Sequence, residues 1–107
     1  MAIRALIRLP ALARRGEVVE VRVLLQHPME TGYRPGPDGR TLPRHILRRL
    51  EARFEGELVF AADLFPAIAA NPYVAFTMRA TASGTLVLNI EGDGGLVQRE
   101  TAALAVA

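Results

Sequence analysis

Val19-Glu20-Val21-Arg22-Val23-Leu24-Leu25-Gln26 is the stretch from which the fold class follows. Val19, Val21, Val23 and Leu25 fall on one side of a period-two pattern, with Glu20, Arg22 and Gln26 on the other. β-Branched residues dominate, as suits one half-buried face of a sheet. Pro28 ends the run, because a proline cannot donate to a strand ladder. The same alternation recurs on both sides. Upstream, Ile3, Ala5, Ile7 and Leu9 alternate with Arg4, Leu6 and Arg8 until Pro10. Downstream, Val74, Phe76, Met78 and Ala80 form one such set and Leu86, Leu88 and Ile90 another. Leu96, Gln98, Glu100, Ala102, Leu104 and Val106 form the last. Arg14-Arg15-Gly16, Glu55-Gly56, Ser83-Gly84 and Glu91-Gly92-Asp93-Gly94-Gly95 are the turns between them, the last being the strongest hairpin signal. About seven short strands with regular turns predict an all-β protein, a β-sandwich.

Two segments resist this reading. Residues 46–54 fit both patterns: Ile46, Leu47, Leu50 and Phe54 share a helix face, whereas Ile46, Leu50, Ala52 and Phe54 share a strand face that also carries Arg48. Local propensity favours helix, and the following hairpin turn favours strand. Residues 27–43 are rich in proline and glycine (Pro28, Gly32, Pro35, Gly36, Pro37, Gly39, Pro43), with Asp38-Gly39 as a tight-turn pair. A loop this long in a small domain is either functional or a loose hairpin extension. Residues 63–72, broken by Pro66 and Pro72, read as a loop or a short turn of helix.

The chain has 107 residues, enough for one domain, and residues 1–107 are read as a single unit. Half the residues are hydrophobic and 22% are charged, which excludes disorder. Every basic side chain is an arginine, but the net charge is only +2 and the arginines are scattered, so nucleic-acid binding is not expected. No stretch is long and apolar enough to span a membrane, and Arg4 and Arg8 interrupt the N-terminal apolar run that a signal peptide would need. Taken alone, these features describe a soluble cytoplasmic protein.

Catalytic chemistry finds few side chains. There is no cysteine and no lysine, and the one serine, Ser83, precedes a glycine in a turn. His27 and His45 are the two histidines and flank the long loop. With Glu30 or Asp38 they suggest a small metal- or ligand-binding enzyme, but they lack zinc-ligand spacing, and their other reading is to hold the hairpin together. No cofactor is expected. An interaction module is the better reading, since strand edges need covering and a partner sheet can cover them.

Three segments go beyond pattern. They are Ile7-Arg8-Leu9-Pro10 with Gly16-Glu17-Val18-Val19-Glu20-Val21; His27-Pro28-Met29-Glu30-Thr31-Gly32 with Asp38-Gly39 and Pro43-Arg44; and residues 60–73, ending in Ala70-Asn71-Pro72-Tyr73. In order and spacing they resemble the Z-subunit family of the thiosulfate-oxidising carrier complex SoxYZ. The resemblance implies an immunoglobulin-like β-sandwich, with strand at 47–52. It implies a heterodimer with a SoxY-type protein, which carries the sulfur substrate on a cysteine near its flexible C-terminus, and transient contact with other Sox enzymes. It also implies a periplasmic location reached by export with a signal-bearing partner, which replaces the cytoplasmic reading. A homodimer is the expectation for the isolated chain. The partner-binding candidates are His27, Pro28, Met29, Glu30, Thr31 and Gly32, together with Asp63, Asn71, Pro72 and Tyr73. Asn71 has a second reading as a satisfier of turn backbone groups. Arg44, Arg48, Arg49 and Arg53 read either as docking groups for an acidic surface or as a solvated strand face.

Overall fold

The computed structural model describes residues 2–107. Seven strands follow in order: β1 (Arg4–Arg8), β2 (Val18–Gln26), β3 (Leu47–Phe54), β4 (Glu57–Asp63), β5 (Tyr73–Arg79), β6 (Gly84–Gly92) and β7 (Val97–Leu104). A 3-10 turn at Asp93–Gly95 links the last two. They form two antiparallel sheets, β1-β2-β5 and β4-β3-β6-β7, that pack face to face as an immunoglobulin-like sandwich. The period-two residues supply the core: Val19, Val21, Val23 and Leu25 from one sheet meet Leu50, Ala52, Phe54, Leu86, Leu88 and Ile90 from the other, all buried.

The ambiguous segment is a strand, and its helical spacing has a structural cause. A bulge between Leu47 and Arg49 shifts the pairing of β3 with β6. The extra residue lets Leu47 and Leu50 both face the core while Arg48 stays exposed. A second irregularity, between Ala52 and Arg53, displaces the pairing with β4. The β3–β4 hairpin turns on Glu55 (φ 48°) and Gly56 (φ 84°), two successive left-handed residues that match the twist of the flanking strands.

The open sides of the sandwich are closed differently. At the β1/β7 side, the Gln98 amide stands in for a strand: its Oε1 accepts the Ile3 N–H at 2.8 Å and its Nε2 donates to the Ile3 carbonyl at 2.8 Å. Beyond Pro10 the chain crosses to the other sheet, where Ala13 forms a parallel bridge with Val106. Its N–H donates to the Ala105 carbonyl and its carbonyl accepts from Ala107, each at 2.9 Å. The Ser83 hydroxyl accepts the Val106 N–H at 2.8 Å. At the β4/β5 side, Phe60 and Phe76 stack with centroids 4.6 Å apart.

The molecule is elongated, with principal extents of 57 × 20 × 19 Å and a radius of gyration of 16.1 Å. A compact chain of this size has a radius of gyration of about 13 Å. Nine-residue strands account for about 30 Å of the length. The rest comes from residues 30–45, which fold back as an irregular hairpin.

Leu50 is buried at the centre of β3, the strand paired on both sides. Leu50→Ala is therefore expected to lower unfolding stability by about 2–5 kcal/mol, read from the midpoint of urea denaturation. Leu58→Ala, on the exposed edge strand, is expected to change it by less than about 1 kcal/mol.

Candidate functional site

His27 leaves the end of β2 and is 1% exposed. Its Nδ1 accepts the Met29 N–H at 2.9 Å. A backbone N–H can only donate, so the ring proton sits on Nε2, which donates to His45 Nδ1 at 3.0 Å. The two rings lie nearly parallel, with centroids 4.9 Å apart. Asn71 holds the backbone of the same residue: its Oδ1 accepts the His27 N–H at 3.0 Å and its own N–H donates to the His27 carbonyl at 2.8 Å. The left-handed conformation of Asn71 (φ 52°) makes this possible, and Pro72 follows by accepting the Leu25 N–H.

From this point the hairpin is fastened strand to strand. Glu30 and His45 exchange backbone hydrogen bonds, both 2.8 Å. Farther out, Leu42 N–H donates to Arg34 and Gly36 N–H to Arg40. Gly32 (φ 89°) disfavours any side chain, because its left-handed backbone suits glycine and a Cβ there would lie 3.0 Å from the Arg44 Cβ. The loop is thus an ordered hairpin, with Tyr33 projecting 82% exposed from its side.

The entry into β3 depends on two side chains. The Ile46 N–H donates to Asp93 Oδ2 at 3.1 Å, and the Leu47 N–H to the Met29 sulfur at 3.3 Å. Met29 is left-handed at φ 50° and 4% exposed, so this acceptor is buried at the start of β3. Asp93 also receives Arg44 (Nε to Oδ2, 2.8 Å) and Arg48 (Nε to Oδ1, 3.3 Å).

Burial pushes the His27 imidazole below its ordinary value, and the neighbouring His45 adds to the effect. Burial pushes the Asp93 carboxyl up, but the hydrogen bonds from Arg44 and Ile46 and the charges of Arg44 and Arg48 outweigh it and leave it below its ordinary value. The knot therefore keeps a neutral histidine and an ionised aspartate.

Of the sequence candidates, the structure brings together His27, Pro28, Met29, Glu30, Thr31 and Gly32 with Asn71 and Pro72. Within this group the His27 and Met29 side chains face inward and hold the hairpin base. Glu30 pairs with Arg34 at 2.6 Å. Asp63 and Tyr73 lie apart from the knot. Asp63 ends β4 and binds Arg49 at 3.0 Å, and Tyr73 opens β5 with 60% of its surface exposed. Arg44 and Arg48 pair with Asp93, Arg49 with Glu51 and Asp63, and Arg53 with Glu51, so the four arginines share three carboxylates. Asp93 is the residue that sequence reasoning missed. It sits in a plain glycine-rich turn, and its partner Arg44 is 49 positions away.

For a metal, the chemistry is poor. One His27 nitrogen accepts from Met29 and the other donates to His45, which leaves the ring no lone pair to offer. Among the described residues no group of three or more His, Cys, Asp or Glu is placed to share an ion.

Comparison with known proteins places this geometry. The family of Sulphur oxidation protein SoxZ matches residues 7–103. The chain belongs to the SoxZ family. It is a subunit of the Sox sulfur-carrier complex, as the resemblance of the three segments implies. No curated protein matches the chain. Among solved structures, the sulfur carrier protein SoxY from Chlorobium limicola f thiosulfatophilum superposes with a TM-score of 0.69 at 20% identity, over 96% of this chain and 78% of that one. A superoxide reductase (neelaredoxin) from Ignicoccus hospitalis does so at 0.76 and 21%, over 98% and 82%. One from Archaeoglobus fulgidus, in the reduced form, does so at 0.62 and 20%, over 92% and 88%. At these identities the likeness is one of fold, and a sandwich carries many unrelated functions.

Two outcomes test the knot. Replacing His27 with alanine leaves the Met29 N–H and the His45 ring without partners and opens a buried space. It is expected to cost about 2–4 kcal/mol in denaturant unfolding. A histidine depressed in the folded state charges more readily in the unfolded chain. Its contribution is complete above about pH 6.5 and is lost as the pH falls from there through the depressed folded value. Unfolding free energy measured against pH should fall on the acid side of about 6.5, and His27→Gln should flatten that slope. Asp93, depressed as an acid, adds a separate loss below about pH 3.9.

Proposed function

We propose that this chain is the non-catalytic member of the carrier pair, a scaffold that binds the cysteine-bearing Y-type subunit and helps present its substrate arm to the thiosulfate-oxidation enzymes. The observation that carries this is the absence of cysteine from a SoxZ family chain. Covalent carriage of sulfur by thiol exchange needs a thiolate, and these residues supply none. Two nucleophile and acid–base candidates are in structural use: the Ser83 hydroxyl bonds the Val106 backbone, and His27 is enclosed with both nitrogens engaged.

The same reading places the pair in the periplasm, exported by a signal on the partner, with transient contacts to the other Sox enzymes. In isolation the chain closes on a second copy through a surface that the partner normally covers. The family relationship supports the pairing.

Co-expression with a SoxY-type protein in a bacterial periplasm should give a stable one-to-one heterodimer on size exclusion, burying about 1,200–2,000 Å². After exposure to thiosulfate and the pathway enzymes, mass spectrometry should find the sulfur adduct on the partner alone. Separate elution of the two proteins, or a substrate-derived adduct on this chain, overturns the reading. Light scattering of the isolated chain reports the homodimer.

A further inference from the structure

The two outer faces of the sandwich differ in charge design. On the four-stranded sheet, opposite charges stand side by side. Asp63, Arg49 and Glu91 lie in one cross-strand row and Glu51, Asn89 and Arg99 in the next. Arg49 bonds Asp63 at 3.0 Å, and Arg53 bonds Glu51 at 2.8 Å. The arginines of that face, Arg49, Arg53 and Arg99, are equalled in number by Asp63, Glu51 and Glu91, so the face carries no net charge.

The three-stranded sheet does not. Its outward residues include Arg4, Arg8, Arg22 and Arg79 against one carboxylate, Glu20. Arg8 stands directly opposite Arg22 in the β1–β2 register. Like charges directly opposed across strands weaken a sheet. Glu20 relieves Arg22 at 2.5 Å, while Arg4 and Arg8 have no ion-pair partner among the described residues. In the adjacent row, Leu6, Leu24 and Tyr73 line up across all three strands. Leu6 is 38% and Tyr73 60% exposed. With Arg8 and Arg22 they line a hollow of about 250 Å³.

An apolar row spanning a sheet, with an aromatic at one end and opposed arginines along its side, is costly for a lone chain. It suits a protein surface with an apolar centre and carboxylates at its edge. We propose that the outer face of β1-β2-β5 is where the partner subunit docks, its apolar centre on Leu6, Leu24 and Tyr73 and its carboxylates on Arg8 and Arg22. This rests on the pairing put forward above and names the surface that carries it. Tyr73, set apart from the His27 group by the fold, becomes the aromatic anchor at one end of this row, while the knot at His27 stays structural.

The experiment measures the affinity of the purified full chain for its SoxY-type partner by calorimetry at low and high salt. Tyr73→Glu, Leu24→Arg and the double variant Arg8→Glu/Arg22→Glu are each expected to weaken pairing at least tenfold. The double variant should also flatten the salt dependence. Val97→Arg, on the opposite face, should stay within about twofold of wild type. Circular dichroism and thermal melting confirm folding; Tyr73, Arg8 and Arg22 are exposed, so their variants inform even where Leu24→Arg does not fold. Folded variants that pair with wild-type affinity overturn this assignment and leave the pairing itself intact. A wild-type chain that does not pair overturns both. Loss of homodimerisation or of binding to anionic vesicles, with heterodimer affinity unchanged, also overturns it.

Discussion

A neutral, buried imidazole with both nitrogens in use joins the two halves of this molecule. His27 sits where β2 runs out of sheet, and from that place it bonds three segments at the base of the long hairpin. One nitrogen takes the Met29 N–H as the chain turns, the other reaches His45 on the returning strand, and Asn71 grips its backbone from a third segment. An unpaired polar group in that position would cost more than the contact contributes. The site is stable because it is complete.

The entry into β3 follows the same logic. A bulge lets Leu47 and Leu50 share the core face, and just before it the Ile46 and Leu47 N–H groups turn to side-chain acceptors. Asp93 and Met29 supply these acceptors. Arg44 and Arg48 then hold Asp93 ionised, so the β6–β7 turn, the β3 entry and the hairpin base form one connected network. The His27, Met29 and Asp93 side chains are the fastenings of the hairpin base.

This division of labour bears on how a small sandwich serves as a scaffold. The inward network fixes the hairpin's root, and the four-stranded sheet balances its own surface charge. On the face of the three-stranded sheet, Arg4 and Arg8 have no ion-pair partner among the described residues, and Leu6 and Tyr73 stay exposed beside them. The two outer faces of the sandwich therefore differ in how their charges are arranged.

Sequence by itself determined the sandwich. Period-two alternation in β1, β2, β5, β6 and β7 is a local consequence of the strand pleat, and Glu55-Gly56 and the glycine-rich 91–95 stretch are local turn chemistry. The family was legible too, in three short segments, as was the absence of a thiol. The strand at residues 47–52 was already implied by the resemblance against local propensity; tertiary structure alone showed why the pattern is ambiguous, because a bulge gives core leucines a spacing of three that mimics a helix. It alone separated Asn71, a clamp on His27, from Tyr73, two residues on and facing solvent. It alone matched Arg44 with Asp93 across 49 positions and set Leu6, Leu24 and Tyr73 in one row. The physical reason is common to all of these. Alternation and turns are properties of neighbours along the chain, whereas hydrogen-bond partners and cross-strand rows are made by strands that sequence distance keeps apart.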